Sequence, residues 1–299
     1  MRKGLFVVIV IAVLGVGYLA AQATSSLLFE RELERIVNRL DARSDLQVER
    51  RGVEQGWFAS HGEIVVTPRL DNGWRIELPY TARHGLLSTR ADGSLMPILA
   101  EEAVPLFGER LPATPPRWHA NYRTLSNDMT VRVDLAAFRA TEGERQFDFQ
   151  GGELVLDGRQ DDLQVQARVG PLQVEQGESA LLVEPLTLET RYRAGTGQRP
   201  PRWSLETLRV SSPSLGLSVD IVGELRFTGG DWGEFRLTDL ESAAGRKHWR
   251  SRLDGHFTWT APPPLVAMQL GLPLDTERLT IEIEAGEVTV NGRPLPSFP

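Results

Sequence analysis

Leu163-Gln164-Val165-Gln166-Ala167-Arg168-Val169 and Leu186-Thr187-Leu188-Glu189-Thr190-Arg191-Tyr192 carry the reading of the fold. In each, apolar and polar side chains alternate with a period of two, the pattern of a strand with one face turned to an apolar environment and one to water. The same alternation runs through Val131, Val133 and Leu135, through Leu215, Leu217, Val219 and Ile221, and through Leu279, Ile281 and Ile283. Turn signals separate these runs: Gln150-Gly151-Gly152, Asp157-Gly158, Thr228-Gly229-Gly230-Asp231 and Ala285-Gly286. Parallel strands need long crossovers, normally helical, and no helical period lies between these runs. The chain is therefore expected to be mainly β, an antiparallel meander forming a large curved sheet, open barrel or groove. Leu163, Val165, Val169, Leu186 and Leu188 should share one face of it, and Gln164, Gln166, Thr187 and Glu189 the other. Strand should exceed about 40% of the residues.

Upstream the period changes. Between Ser26 and Leu46, Phe29, Leu33, Ile36, Val37 and Leu40 recur at helical spacing, with Glu30, Arg31, Glu34, Arg35 and Arg39 assigned to the opposite side and Ser25 or Ser26 available as N-cap. This stripe is expected to pack on the sheet that follows. Pro97 to Leu111, with Pro97 in its first turn and Pro105 limiting its length, and Leu265 to Gly271, opened by Pro262-Pro263-Pro264 and closed by Gly271 and Pro273, read as two further short helices. Pro112 to Arg117 and Ala194 to Arg202 are candidate linkers, and a hairpin loop explains the second equally well.

Gly4 to Ala21 (GLFVVIVIAVLGVGYLAA) holds no charge and follows Arg2 and Lys3. As a helix it would be about 27 Å long, enough to cross a hydrocarbon core of about 30 Å, and the preceding cations place the N-terminus in the cytoplasm. Ala21-Gln22-Ala23 also has the form of a signal-peptide cleavage site. The run of Ile, Val and Leu, with a helical pattern beginning soon after, favours an anchor. The expected division is 1–23 as signal anchor, 24–46 as amphipathic helix and 47–299 as an extracytoplasmic β-rich domain, with a sub-boundary near 112–117.

The 299 residues contain no cysteine, so neither disulfides nor thiolate ligands contribute. Without Arg2 and Lys3, 31 basic residues face 40 acidic ones, a net charge of about −9, which argues against nucleic acid or anionic lipid as an electrostatic partner, so any membrane contact is expected to be apolar. His61, His84, His119, His248 and His256 stand singly, and no phosphate-binding loop, dinucleotide fingerprint or nucleophile elbow occurs. No catalytic, cofactor-binding or metal-binding residue is assigned from the sequence.

Arg51-Gly52 and Trp57-Phe58-Ala59-Ser60-His61 read as a strand, a glycine-containing turn and a second strand, with Trp57 and Phe58 on opposite sides of the sheet. Together with Arg83-His84-Gly85-Leu86 and the ending Gly286 to Pro296, which includes Asn291-Gly292, this block resembles the YdgA-like bacterial family, a domain of unknown function (945). The resemblance implies an inner-membrane-anchored periplasmic protein and transfers no activity. Arg51, Gly52, Trp57, Phe58, Ser60, His84, Gly85, Asn291 and Gly292 are its motif residues, structural or interacting. Asn291-Gly292 should be a tight type I′ turn closing the last strands. The expected function is a non-enzymatic envelope protein that shelters acyl chains or docks a partner on an apolar sheet face. The alternatives are an assembly factor, or a hydrolase whose sign would be a His and Ser, or two carboxylates, converging in one pocket.

Overall fold

The structure, a computed structural model, describes residues 26–43, 45–69, 74–99, 104–159, 161–177, 179–195, 200–228, 239 and 242–295. The membrane segment expected at 1–23 lies outside the described residues, and no helix among those described is long and apolar enough to cross a membrane. Strand accounts for 61% of the described residues, the strands of each unit pair antiparallel with their neighbours, and the sheet is not a closed barrel. The chain falls into two compact units, Met1–Arg110 with Pro115–Arg132, and Leu111–Thr114 with Val133–Pro299.

The first unit opens with helix α1, described over 26–41. It is followed by β1 (Leu46–Gln55), β2 (Ala59–Pro68), β3 (Trp74–His84), β4 (Ser88–Ser94), β5 (Met96–Leu99), β6 (Val104–Pro105) and β7 (Arg117–Arg123). β1, β2, β3, β4 and β7 lie side by side in that order, while β5 takes the other half of β3 and β6 borders β5. Phe29 and Leu33 of α1 pack on Tyr80, Ala82 and Ala91, so the helix covers the sheet as its stripe predicts. Three details differ. Glu30 is buried and Ile36 is 40% exposed, because the stripe through Phe29, Leu33 and Val37 is flanked inward by residue 30 and outward by residue 36. The helix stops at residue 41, and Leu46 already belongs to β1. Ser26 lies within the helix with its hydroxyl on the Gly56 carbonyl, 3.0 Å, and Ser25 is outside the described residues.

Among the described residues between Pro97 and Leu111 no regular α-helix forms. Ile98 pairs with Pro105, Phe107 is extended (φ −88°, ψ 136°) and Gly108 has φ 90°. Proline lacks the donor a helix interior needs but sits comfortably on an edge strand.

After β8 (Asp128–Leu135), which crosses the division, come β9 (Phe138–Glu142), β10 (Arg145–Phe149), β11 (Gly152–Arg159), β12 (Asp162–Val169), β13 (Leu172–Gln176) and β14 (Ser179–Val183). The series continues with β15 (Leu186–Arg193), β16 (Arg202–Ser212), β17 (Leu217–Phe227), β18 (Leu253–Thr260), β19 (Arg278–Glu284), β20 (Glu287–Val290) and β21 (Arg293–Pro294). β9, β10, β13 and β14 form a small separate sheet in that order. The others form the meander β11-β12-β15-β16-β17-β18-β19-β20-β21, each strand beside its neighbour in the series. Asp157-Gly158, expected as a turn, lies inside β11 opposite Gln164 and Leu163. The stretch after β15 is a hairpin connection, with Arg193 opposite Arg202.

Two α-helices accompany the meander, making three α-helices among the described residues. α3 (Pro264–Gln269) starts at proline as expected and closes at Gly271, φ 66°. α2 (Ala243–Arg250) was not expected. Its cap is Ser242, which accepts from Gly245 N–H, and its anchor is Trp249, stacked on Phe227 with ring centroids 5.2 Å apart.

Candidate functional site

Residues of the motif blocks meet in the first unit. Gly52 has φ 56° at the point where β1 carries one more residue than β2, between the pairs Arg51 with Glu63 and Glu54 with His61. This is a bulge that needs a left-handed residue, which explains the glycine. The bulge restores the side-chain alternation on either side of it. Arg51 itself is exposed and pairs with Glu49 at 2.8 Å. Trp57 and Phe58 do not straddle the sheet as expected: both stand in the β1–β2 loop, 63% and 53% exposed. Gly85 makes the β3–β4 turn, its N–H on the Ser88 carbonyl at 2.8 Å, and an added Cβ would come within 3.0 Å of that same oxygen.

Ser60 and His84 are buried beneath α1, 0% and 3% exposed. Ser60 Oγ donates to Glu30 Oε1 at 2.8 Å and lies 3.0 Å from His84 Nε2, while His84 Nδ1 lies 3.2 Å from Thr89 Oγ1. Glu30 Oε2 accepts from Arg50 at 2.7 Å, and the same guanidinium nitrogen reaches the Tyr80 hydroxyl at 2.5 Å. Phe29 closes over the imidazole, with ring centroids 5.5 Å apart. One proton arrangement fits Glu30, Ser60, His84 and Thr89 together. With the Ser60 proton on Glu30, His84 donates from Nε2 to Ser60 Oγ and accepts from Thr89 at Nδ1. Burial lowers the His84 pKa, against the smaller opposing effect of Glu30, so the ring is held neutral. Burial also works against the Arg50 charge, yet its hydrogen bonds to Glu30 and Tyr80 raise its pKa above the usual value.

A serine, a histidine and a carboxylate in contact invite comparison with a hydrolytic triad. In a triad the histidine accepts the serine proton at one nitrogen and the acid holds the other. Here the serine proton is turned to the acid, and the far nitrogen meets Thr89. The group ties α1 to β1, β2, β3 and β4. Glu30 and Arg50, but neither Ser60 nor His84, also line a cleft of about 460 Å³ between α1 and β1, together with Glu34, Val37, Asn38, Val48, Val53 and Gln55. Sequence reasoning singled out Ser60 and His84 but missed Glu30, Arg50, Tyr80 and Thr89. The only local signal for Glu30 was its place beside Phe29.

The remaining motif residues belong to the second unit. Asn291 (φ 48°) and Gly292 (φ 73°) form a two-residue turn joining Val290 to Arg293, as expected. Asn291 also ties back to β19: its N–H donates to the Thr280 carbonyl and its Oδ1 accepts from Thr280 N–H, each at 2.8 Å. Ala285-Gly286, φ 48° and 78°, repeats the geometry between Glu284 and Glu287. Both are turns of the primed kind, whose twist suits a hairpin.

The main sheet of this unit sorts its side chains by face. One row of direct cross-strand neighbours reads Leu154, Ala167, Leu188, Leu208, Ile221, Trp259, Leu279. The next reads Leu156, Val165, Thr190, Leu205, Gly223, Phe257, Ile281, Val290. On the other face a row reads Asp157, Gln164, Arg191, Ser204, Glu224, His256, Glu282, Thr289. The expected division of Leu163, Val165, Val169, Leu186 and Leu188 from Gln164, Gln166, Thr187 and Glu189 holds in register. In the two apolar rows only Leu279, Val290 and Thr190 are buried; the other side chains remain partly exposed. Two bulges, at Glu206 opposite β15 and between Leu205 and Leu208 opposite β17, keep the faces in phase. Across the polar face Asp162 is held by Arg191, whose hydrogen bond lowers the carboxylate pKa.

Among the described residues no group of three or more His, Asp or Glu side chains could hold a metal ion. His61 pairs with Glu54 and His119 with Asp92, both near the surface. A helix fastened by a buried polar chain to one sheet, in a chain that also carries an antiparallel meander with one apolar face, defines a mainly β protein. The chain belongs to the family described as bacterial protein of unknown function (DUF945), whose model matches residues 1–201. That stretch includes Arg51, Gly52, Trp57, Phe58, Ser60, His84 and Gly85, and ends before Asn291 and Gly292. No curated protein and no solved structure matches the chain.

Proposed function

We propose that this is a non-enzymatic envelope protein, held in the bacterial inner membrane by residues 4–21 with the rest in the periplasm, that shelters acyl chains on the apolar face of its second unit. The observation that carries the reading is the pair of apolar rows crossing seven or eight strands while most of their side chains stay partly exposed. At about 4.8 Å between strands, seven strands span about 29 Å. One acyl chain occupies about 15 Å, half of a hydrocarbon core of about 30 Å. The face is thus long enough for a chain laid across the strands. Apolar surface of this extent, left incompletely covered, is what ligand-binding and interaction sites present.

The test is native purification followed by mass spectrometry of bound lipid, with uptake of a fluorescent fatty acid by the delipidated protein. The reading expects bound lipid and saturable uptake. Protein that carries no lipid and takes up no probe refutes it.

A further inference from the structure

The loops at one end of the first unit lie together. Ser26 at the described start of α1 bonds the Gly56 carbonyl, His84 N–H donates to the Phe58 carbonyl at 2.8 Å, and Thr124 N–H donates to the Leu87 carbonyl at 3.0 Å. The β1–β2, β3–β4 and β7–β8 loops therefore share an end with the beginning of α1. Each presents large apolar side chains to solvent: Trp57 at 63% exposure, Phe58 at 53%, Leu87 at 57% and Leu125 at 80%. Leu27, at the start of α1, is 51% exposed. Five residue steps separate Ser26 from Ala21, the last residue of the uncharged run, and five steps reach at most about 18 Å in any conformation. The last residue of the apolar run is thus within about 18 Å of the start of α1, at the end of the unit that carries the apolar loop tips.

A second feature stands just behind the tips. Arg83 is opposite Arg90 across β3 and β4, and Arg123 is opposite Ser88, all exposed and on the face away from Ser60, Ala82 and Ala91. None of the three is in an ion pair among the described residues. Asp92 lies one row further back and is bonded to His119, and Asp128 begins β8 beyond the loop. At about 3.4 Å per residue the arginines sit roughly 3 to 10 Å behind the loops. That is the depth relation between acyl boundary and headgroup phosphate for a protein lying on a bilayer. Tryptophan is favoured at that boundary, and guanidinium matches phosphate. The chain's overall negative charge does not oppose this, because fields beyond about 8 Å are screened at physiological salt.

We propose that this loop end is a membrane-docking surface. Trp57, Phe58, Leu87 and Leu125 enter the interface of the bilayer that holds residues 4–21, and Arg83, Arg90 and Arg123 contact the phosphates of anionic lipids. The proposal rests on reading residues 4–21 as a membrane segment and is independent of acyl binding by the second unit.

The chain has no cysteine, so single labels are simple to place. Full-length Leu125→Cys and Leu87→Cys, each carrying an environment-sensitive fluorophore, are placed in nanodiscs of phosphatidylcholine with and without phosphatidylglycerol. Gln47→Cys, exposed at the end of β1 away from these loops in the same unit, serves as reference. At positions 125 and 87 the account expects blue-shifted emission and at least a twofold quenching by lipids brominated near the headgroup, with none at 47. Labels at 125 and 87 that iodide quenches and brominated lipid does not, in protein still eluting with the disc, overturn docking while leaving the anchor intact. Protein that elutes apart from the disc overturns the anchor and docking together. In discs with phosphatidylglycerol, Arg83→Gln, Arg90→Gln and Arg123→Gln together should at least halve the quenching. No change there removes the arginines from the surface.

Discussion

Replacing Ser60 by Ala probes what the motif residues do. The side chain is fully buried, and its hydroxyl serves Glu30 at 2.8 Å and His84 at 3.0 Å. Alanine leaves no void of consequence but strips a partner from a buried carboxylate oxygen and from a buried imidazole nitrogen. Each loss costs about 1–3 kcal/mol, and partial relaxation brings the expected total to about 2–4 kcal/mol. In a unit of about 130 residues, 1 kcal/mol moves the melting temperature by about 4 °C, so the unit should melt roughly 8–15 °C lower. Hydrogen exchange read on peptides from α1, β2 and β3 localises the effect, and Thr81→Ala on the exposed opposite face is the reference, within about 0.5 kcal/mol of the parent. A Ser60→Ala protein that loses less than about 0.5 kcal/mol, with α1 as protected as before, refutes the helix lock. The hydroxyl would then need another role, and the contact with His84 would return as a candidate for chemistry.

Three further outcomes are expected. Burial lowers the His84 pKa, so the unfolded chain takes up the proton first. The stability this confers is complete above about pH 6.5 and is lost as pH falls toward the native value. Urea midpoints between pH 7.5 and 5 should fall more steeply for the parent than for His84→Gln, and parallel profiles would contradict the assignment. Gly292→Val meets no atom within 4 Å of its Cβ and suffers only from φ 73°, so it should cost about 1–3 kcal/mol and leave acyl-probe uptake unchanged; uptake lost at an unchanged melting temperature would make the turn a binding site. A reporter fused after Pro299 should be active only outside the cytoplasm, because Arg2 and Lys3 hold the N-terminus inside, and cytoplasmic activity would reverse the topology.

The strands were legible because a period of two assigns faces without knowledge of partners. Leu163 to Val169 and Leu186 to Tyr192 need only an even register to stack, and they do. The primed turns were legible because Asn-Gly suits two successive positive φ angles better than other pairs. α2 was not legible: in Ala243–Arg250 only Trp249 is buried, so no stripe forms, and the helix depends on the stack with Phe227, far off in sequence. Pro97 to Leu111 misled because its apolar spacing is shared by a short edge pairing that tolerates proline. The polar chain under α1 was half legible. Ser60 and His84 stand in blocks with a family likeness, but a glutamate on a charged helix reads as solvent-facing until the sheet beneath it is known.

The central claim is that acyl chains lie on one face of the meander, and photocrosslinking tests it most directly. Native protein would be loaded with a diazirine-bearing fatty acid, irradiated and mapped by peptide mass spectrometry. The account predicts adducts on the apolar rows, at residues such as Val165, Leu188, Leu208 and Ile221, with Gln164, Gln166 and Thr187 unmodified. Adducts confined to the polar face, or no adducts in the second unit at all, would contradict it.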